Sequence, residues 1–396
     1  NLQGAAVTAE SNLIQLPQAG FGPHVVGQAA WSNGGSLQLS GRTVYFAGSV
    51  DAAGGAPLAT GGSLTIGVVN DTAKGAPPAP DIITVQQPGV VAANLPALGA
   101  SATAGAFIGA DTLSNSGFDS VTLNAQTIAF GGSVNVRIPG ALTLNARAGH
   151  IAIADGSVVN LNAGYVRLVG LVPSAQSIVP TAGAGTLNVT AQWIDLERGI
   201  GLDNAGSVNL TSAGAIRLLP QYYGFVDGSF GAGETTFGGA LLVPGNLTLR
   251  AAEIYPVSNT AFLLMSTGAS GAITIAQNGI PTPPLSAGGS IVISAQNIVQ
   301  GGTLWAPLGN IILGVRTSSD VPAQFINAIA NEGHVTFASG TFTPTASVTL
   351  AAGSLTSVSA AGLVVPDGYT VDGTTWYQGA STNQGVPVLA APPSKS

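Results

Sequence analysis

The chain contains no cysteine, which rules out a disulfide framework and any thiolate-held metal. Charge is almost as scarce. Asp, Glu, Lys and Arg make up 7% of the 396 residues, where an ordinary soluble domain carries about a quarter. Lysine occurs only at Lys74 and Lys395, and the net charge is −7. A surface so short of positive charge does not attract nucleic acid or anionic lipid, so neither is expected as a partner. Long apolar runs are also missing: the longest is "AFLLM" at 261–265, far below the ~20 residues of a helical membrane span. His24, His150 and His334 are too far apart in sequence to suggest a site, and none has a partner at i+2 or i+4. No phosphate loop, nucleophile elbow or calcium-binding nonapeptide occurs, and no cofactor is expected.

What the chain has instead is punctuation. Glycine numbers 56, about twice the usual share, and 24 prolines fall between short runs of Leu, Val, Ile, Thr and Asn. Apolar residues are 45% and the mean hydropathy is +0.42, so the chain can bury a long core and is not of disordered composition. This is the pattern of many short strands.

One pattern recurs: apolar, any, apolar, any, small, any, any, apolar. It reads "LQLSGRTV" from 37, "VTLNAQTI" from 121, "LNVTAQWI" from 187, "LTLRAAEI" from 247, "IVISAQNI" from 291 and "VTLAAGSL" from 348. The starts lie 84, 66, 60, 44 and 57 residues apart, each a small multiple of about 20. Alternation puts Leu187 and Val189, or Ile291 and Ile293, on one face of a strand. Ala125 or Ala295 then falls at a tight corner, Ile128 or Ile298 begins the next strand, and a glycine pair such as Gly301–Gly302 turns the chain again. Three strands and three corners in about 20 residues predict one coil of an all-β, right-handed parallel β-helix, with about 14–16 coils in all. Asn124, Asn135, Asn145, Asn188 and Asn209 are placed facing outward or at corners. Only 321–333 carries even a weak helical pattern.

The rod is expected over 1–364, with loops leaving it at about 70–101, 220–239 and 276–289, followed by a C-terminal loop and Pro/Ala-rich tail over 365–396. The opening at Asn1, without Met or a leader, reads as a piece of something longer. Strand edges left open at the ends would be capped, continued by more coils or stacked on another copy, so end-to-end association or a homo-oligomer is a candidate.

Candidate chemistry is thin. "WIDLER" at 193–198 sets Asp195 and Glu197 outward on one strand face, the geometry of an acid–base pair in a carbohydrate-active β-helix enzyme. The plainer reading is two solvated carboxylates with Arg198 nearby, and the protein is expected not to be an enzyme. Arg137, Arg167, Arg217 and Arg250 all fall at outward positions and read as isolated surface charges; stacked on one face they would bind an acidic glycan. The loop at 220–239 carries Tyr222, Tyr223, Phe225, Phe230 and Phe237, aromatic rings suited to a sugar or protein partner, or to covering a seam of the helix.

On "GGSIVISAQNIVQGGTLWAPLGNIILG" (288–314) and "SVTLAAGSLTSVSAAGLVVPDGYTVDGTTW" (347–376), the chain resembles the distal part of filamentous-haemagglutinin-type large exoproteins of Gram-negative bacteria. The similarity spans most of the chain and is densest from about 285 to 376; "VYFAGSVDAAGGAPLATGGSLTI" (44–66) is similar but less specific. The resemblance implies a β-helical rod, export through an outer-membrane two-partner-secretion transporter, and a secreted or cell-surface adhesin or matrix component. Its host-cell, glycan or matrix ligand is left open. It covers none of the family's N-terminal secretion domain, whose Asn-Pro-Asn motif does not occur here.

Overall fold

The computed structural model describes residues 32–46, 48–68, 81–87, 105–170, 177–220, 237–332, 335–336 and 341–362, with three short strands at 369–370, 376–378 and 386–389. It is a parallel β-helix whose coils pass in turn through three sheets.

Sheet 1 stacks Ser36–Gly41, Gly62–Val68, 120–125, 141–146, 165–169, Trp193–Glu197, Ala215–Leu219, Glu253–Pro256, Thr303–Trp305 and Leu355–Ser357, every neighbour parallel. At about 4.8 Å per rung, this sheet runs about 40–45 Å along the axis. Sheet 3 stacks 134–138, 158–162, Gly185–Ala191, Ala205–Ser212, Asn246–Ala251, Ala272–Gln277, Asn297–Gly301 and Ser347–Leu350. Sheet 2 lies between them in chain order, from Thr43–Phe46 to Asn310–Leu313. Several strands bend through a corner without interruption; Val134–Ile153 serves all three sheets.

The coil forms because its inward positions are aliphatic on every rung. In sheet 1, Leu64, Val121, Leu142, Val166, Ile194, Ile216, Ile254 and Leu304 are partners in register and all at most 1% exposed. In sheet 3, Val159, Leu187, Val208, Leu247, Ile273 and Ile298 do the same. Burying one such side chain stabilises by roughly 1.5–3 kcal/mol, so the ladder outweighs any single outward contact. The rungs expected from the sequence, including Leu187, Val189, Ile291, Ile293 and Ile298, are buried, and so are the corner alanines Ala125 and Ala295.

Uninterrupted coils advance 21 residues from Val121 to Leu142 and 22 from Ile194 to Ile216, but 28 from Val159 to Leu187. With these longer coils and excursions, sheet 1 holds ten rungs among the described residues, against the expected 14–16 coils. The stretch 70–101 is not one continuous loop either: Ile82–Gln86 is a strand of sheet 2, with Ile83 and Val85 buried inward. Gly105–Gly109 pairs with both Thr43–Phe46 and Ile82–Gln86, so here sheet 2 departs from chain order. In the expected tail, Tyr369–Thr370, Trp376–Gln378 and Val386–Leu389 form a separate antiparallel sheet.

Among the described residues, two α-helices lie on the coil. Helix α1, Ala110–Asn115, buries Ala110 and Leu113 against the core, and its Ser114 hydroxyl accepts the Arg137 N–H at 3.0 Å, so it closes the N-terminal edge of sheet 3. Helix α2, Ala323–Glu332, falls where the weak helical pattern predicted it. Its Phe325, Ala328 and Ile329 pack on Ala240, Leu242, Ala261 and Leu263, outward residues of sheet 2, as a second apolar layer. A side chain at Gly238 would meet the Ala328 carbonyl at 2.0 Å, so only glycine lets the helix approach that closely.

Candidate functional site

The outward positions of sheet 1 change character along the rod. Near the N-terminal end they are small: Thr65, Thr122 and Thr143 are register partners. The same column continues as Arg167, Asp195, Arg217 and Tyr255. Beside it stand Tyr165, Trp193, Ala215 and Glu253.

The two carboxylates of "WIDLER" do point outward together, as the alternation predicts, while Ile194 and Leu196 face the core. They are not solvated. The Asp195 and Glu197 side chains are 2% and 3% exposed. Asp195 accepts from Arg217 Nε at 2.6 Å and Arg217 Nη2 at 2.8 Å, a two-point clamp, and its Oδ2 also accepts the Tyr165 hydroxyl at 2.5 Å. Glu197 accepts from Arg167 Nε at 2.9 Å and from Arg167 Nη2, while Arg198 Nε stands 3.4 Å from its other oxygen. The Arg217 guanidinium lies 5.6 Å from the Trp193 ring centroid, a cation–π contact.

Burial, and then the charge of Asp195, push the Tyr165 hydroxyl far above the ordinary phenol range. Burial likewise pushes Tyr255 up to about 12, with Arg217 acting in the opposite sense. Burial also raises Glu253, which accepts the Thr282 N–H at 2.9 Å and so pins the excursion 278–287 to the outside of the sheet. Arg198 adopts a left-handed backbone, φ 67°, at the corner that leads from sheet 1 into sheet 2.

This arrangement neutralises charge rather than moving protons. A general acid or base needs a carboxyl within reach of substrate and free to exchange a proton. Here each carboxylate is saturated by guanidinium and sealed from solvent. What the cluster can do is bind successive coils to one another: Arg167–Glu197, Asp195–Arg217 and Tyr165–Asp195 each join neighbouring rungs.

The other sequence candidates do not converge here. Arg137 and Arg250 are exposed on sheet 3 and make no ion pair among the described residues, as expected of isolated surface charges, whereas Arg167 and Arg217 lie on sheet 1 in ion pairs, so the four do not share one face. Tyr222, Tyr223, Phe225 and Phe230 lie outside the described residues. The backbone of Phe237 opens a strand of sheet 2, pairing with Thr260. His24 and His334 also lie outside the described residues, while His150 bonds Asp203 at 2.8 Å through Nδ1. Among the described residues no group of three or more His, Asp or Glu side chains could hold a metal. Tyr165, Trp193, Glu253 and Tyr255 went unnoticed in the sequence. The "YVRLV" at 165–169 carries the same alternation as "WIDLE", which could have flagged the pairing, but its register against 193–197 depends on the length of the intervening excursion.

Of the asparagines expected outward or at corners, Asn135, Asn188 and Asn209 form, with Asn160, an outward column on sheet 3 in which each Nδ2 donates to the Oδ1 of the preceding rung: Asn160 to Asn135 at 2.5 Å, Asn188 to Asn160 and Asn209 to Asn188 at 2.8 Å. Asn124 and Asn145 are instead register partners on sheet 1, each with its Oδ1 buried. No family model, curated protein or solved structure matches the chain.

Proposed function

We propose that the protein is a non-enzymatic rod segment of a bacterial surface adhesin or extracellular matrix filament, a rigid β-helical support that displays binding loops. One observation carries this reading: the strongest candidate for acid–base chemistry, Asp195 with Glu197, is spent on buried ion pairs that lace coil to coil. Rigidity is built into the inward ladder, and variation is left to the segments that leave it. The resemblance to filamentous-haemagglutinin-type exoproteins supports the same reading, and with it export through an outer-membrane partner barrel and a cell-surface location.

The aromatic stretch 221–236, read from the sequence as part of an excursion over 220–239, is the first candidate for a displayed binding segment. Replacing it with a Gly/Ser linker of equal length is the test, with binding to immobilised host-cell glycans and matrix proteins as the readout. Binding that disappears while the circular dichroism and melting temperature hold supports the proposal. Unchanged binding, or turnover of any polysaccharide by the parent chain, overturns it.

A further inference from the structure

The two ends of the coil stack are finished differently. At the N-terminal end, α1 seats Leu113 and Ala110 in the core, Phe46 is buried, and Leu37, Leu39 and Val44 are partly buried alongside Val50 and Ala52. At the C-terminal end the inward ladder runs out into the open. Val348 and Leu350 continue the rungs of Ile298 and Gln300, which are fully buried, yet they are 40% and 58% exposed. Beside them, Leu355, on the outward column of Thr303, and Val358, just past the last strand of sheet 1, are 39% and 49% exposed. Leu308, on the neighbouring corner, is 68% exposed and held in a left-handed backbone conformation, φ 57°, that a bulky residue seldom adopts.

The last strand of each sheet, Asn310–Leu313, Ser347–Leu350 and Leu355–Ser357, has a partner on one side only among the described residues. Such edges are normally blunted by charge, proline or a bulge. From 345 to 362 there is no charged residue and no proline, and the pairings of the last strands show no register shift. The strands that follow, at 369–370, 376–378 and 386–389, add no rung to the coil, because they pair antiparallel with one another in a separate sheet.

We propose that this end is a self-association surface, and that its occupant is the same end of a second copy. Head-to-tail stacking would press these exposed rungs on an N-terminal end that is already plugged, whereas tail-to-tail contact matches open rungs with open rungs. The absence of charge removes the like-charge repulsion that a self-facing surface would otherwise suffer. A two-fold axis across the rod end sets the edge of Ser347–Leu350 antiparallel to its counterpart, which supplies backbone hydrogen bonds to both chains and closes the assembly at two copies.

Sedimentation of the full chain over a range of concentrations tests this. A dimer is expected, and Val348→Lys with Leu350→Lys weakens its association at least tenfold without shifting the melting temperature, since both side chains already face solvent. Because the chain has no cysteine, a single introduced thiol carries a spin label at one place. Labels on Ser354→Cys give a short distance between copies, and labels on Gln38→Cys give none in the measurable range. A chain that sediments as a monomer throughout, a lysine variant that associates as well as the parent, or a short distance between Gln38→Cys and Ser354→Cys in a mixed sample overturns the proposal.

Discussion

Sheets 1 and 3 are made by the same coils, with the same aliphatic rungs inside, yet their outer faces follow opposite rules. Along sheet 3 the outward side chains, Arg137, Arg250 and Val299 apart, are small or polar and exposed or half-buried, and the asparagine column satisfies itself rung by rung. From residue 165 to 255, sheet 1 faces outward with arginine, carboxylate and aromatic rings, in which Asp195, Glu197 and Arg217 are buried, ion-paired and flanked by the half-buried Tyr165, Trp193 and Tyr255. The inward ladder decides that there is a coil; the outward side chains decide how much each coil depends on its neighbours. A half-buried amide column is replaceable because water can still reach and hydrogen-bond whatever is left. A buried ion pair is not, because removing one partner strands a charge where nothing else can solvate it.

The sharpest way to break the contrast is Arg217→Ala, which leaves Asp195 buried with only the Tyr165 hydroxyl. The expected loss is about 3–5 kcal/mol in denaturant unfolding. Replacing both partners, Arg217→Met with Asp195→Leu, is expected to recover most of that loss, since an apolar pair leaves no stranded charge. If the double variant is as damaged as the single one, the pair does more than neutralise itself. Next in size, Leu249→Ala on the inward face of sheet 3 is expected to cost about 2–5 kcal/mol through the cavity it opens, which shows that the two sheets differ on their outer faces alone. On the outer face of sheet 3, Asn188→Ala removes two hydrogen bonds of the column and is expected to cost only about 1 kcal/mol. A loss as large as that of Arg217→Ala would erase the distinction between the faces.

The smallest effect expected is in pH. Burial works to raise Asp203, but the hydrogen bonds from His150 and from Thr181 outweigh it and hold the carboxyl below 3.8. A depressed carboxyl contributes stability that is present above its unfolded value and is lost as the pH falls through the folded one. Thermal melts of Asp203→Asn should therefore show a lower midpoint than the parent at neutral pH, with the two curves converging below pH 3.8. A constant gap down to the lowest pH would assign the effect to packing instead.

The inward ladder was legible because alternation is a local signal: Ile291 and Ile293 declare their face within five residues. Helix α2 was legible for the same reason. The strand at 82–86 also alternates, with Ile83 and Val85, but the prolines and alanines around it outweighed that signal. The outer faces could not be read, because which residues meet there depends on register. Ile216 and Ile254 stack although 38 residues separate them, and Ile254 and Leu304 although 50 do. No local pattern announces that Arg217 will land on Asp195. Asp195 and Glu197 were placed correctly in direction and wrongly in environment, since direction follows from the strand and environment from its neighbours.

The exchange of order in sheet 2 bears on how the rod assembles in time. Thr43–Phe46 meets its next rung only when Gly105–Gly109 has been made, and that strand in turn needs Ile82–Gln86 on its other side. A chain that emerges N-terminus first therefore cannot wind its opening coils as they appear. Neighbouring rungs from Val121 to Ile216 lie only 21–28 residues apart, whereas Val44 and Ala106 are 62 apart, so nucleation is placed in 120–219 and the opening coil locks later. In pulse-labelled hydrogen exchange, amides of 120–219 should gain protection before those of 36–68. The opposite order would mean that the rod winds from its tip.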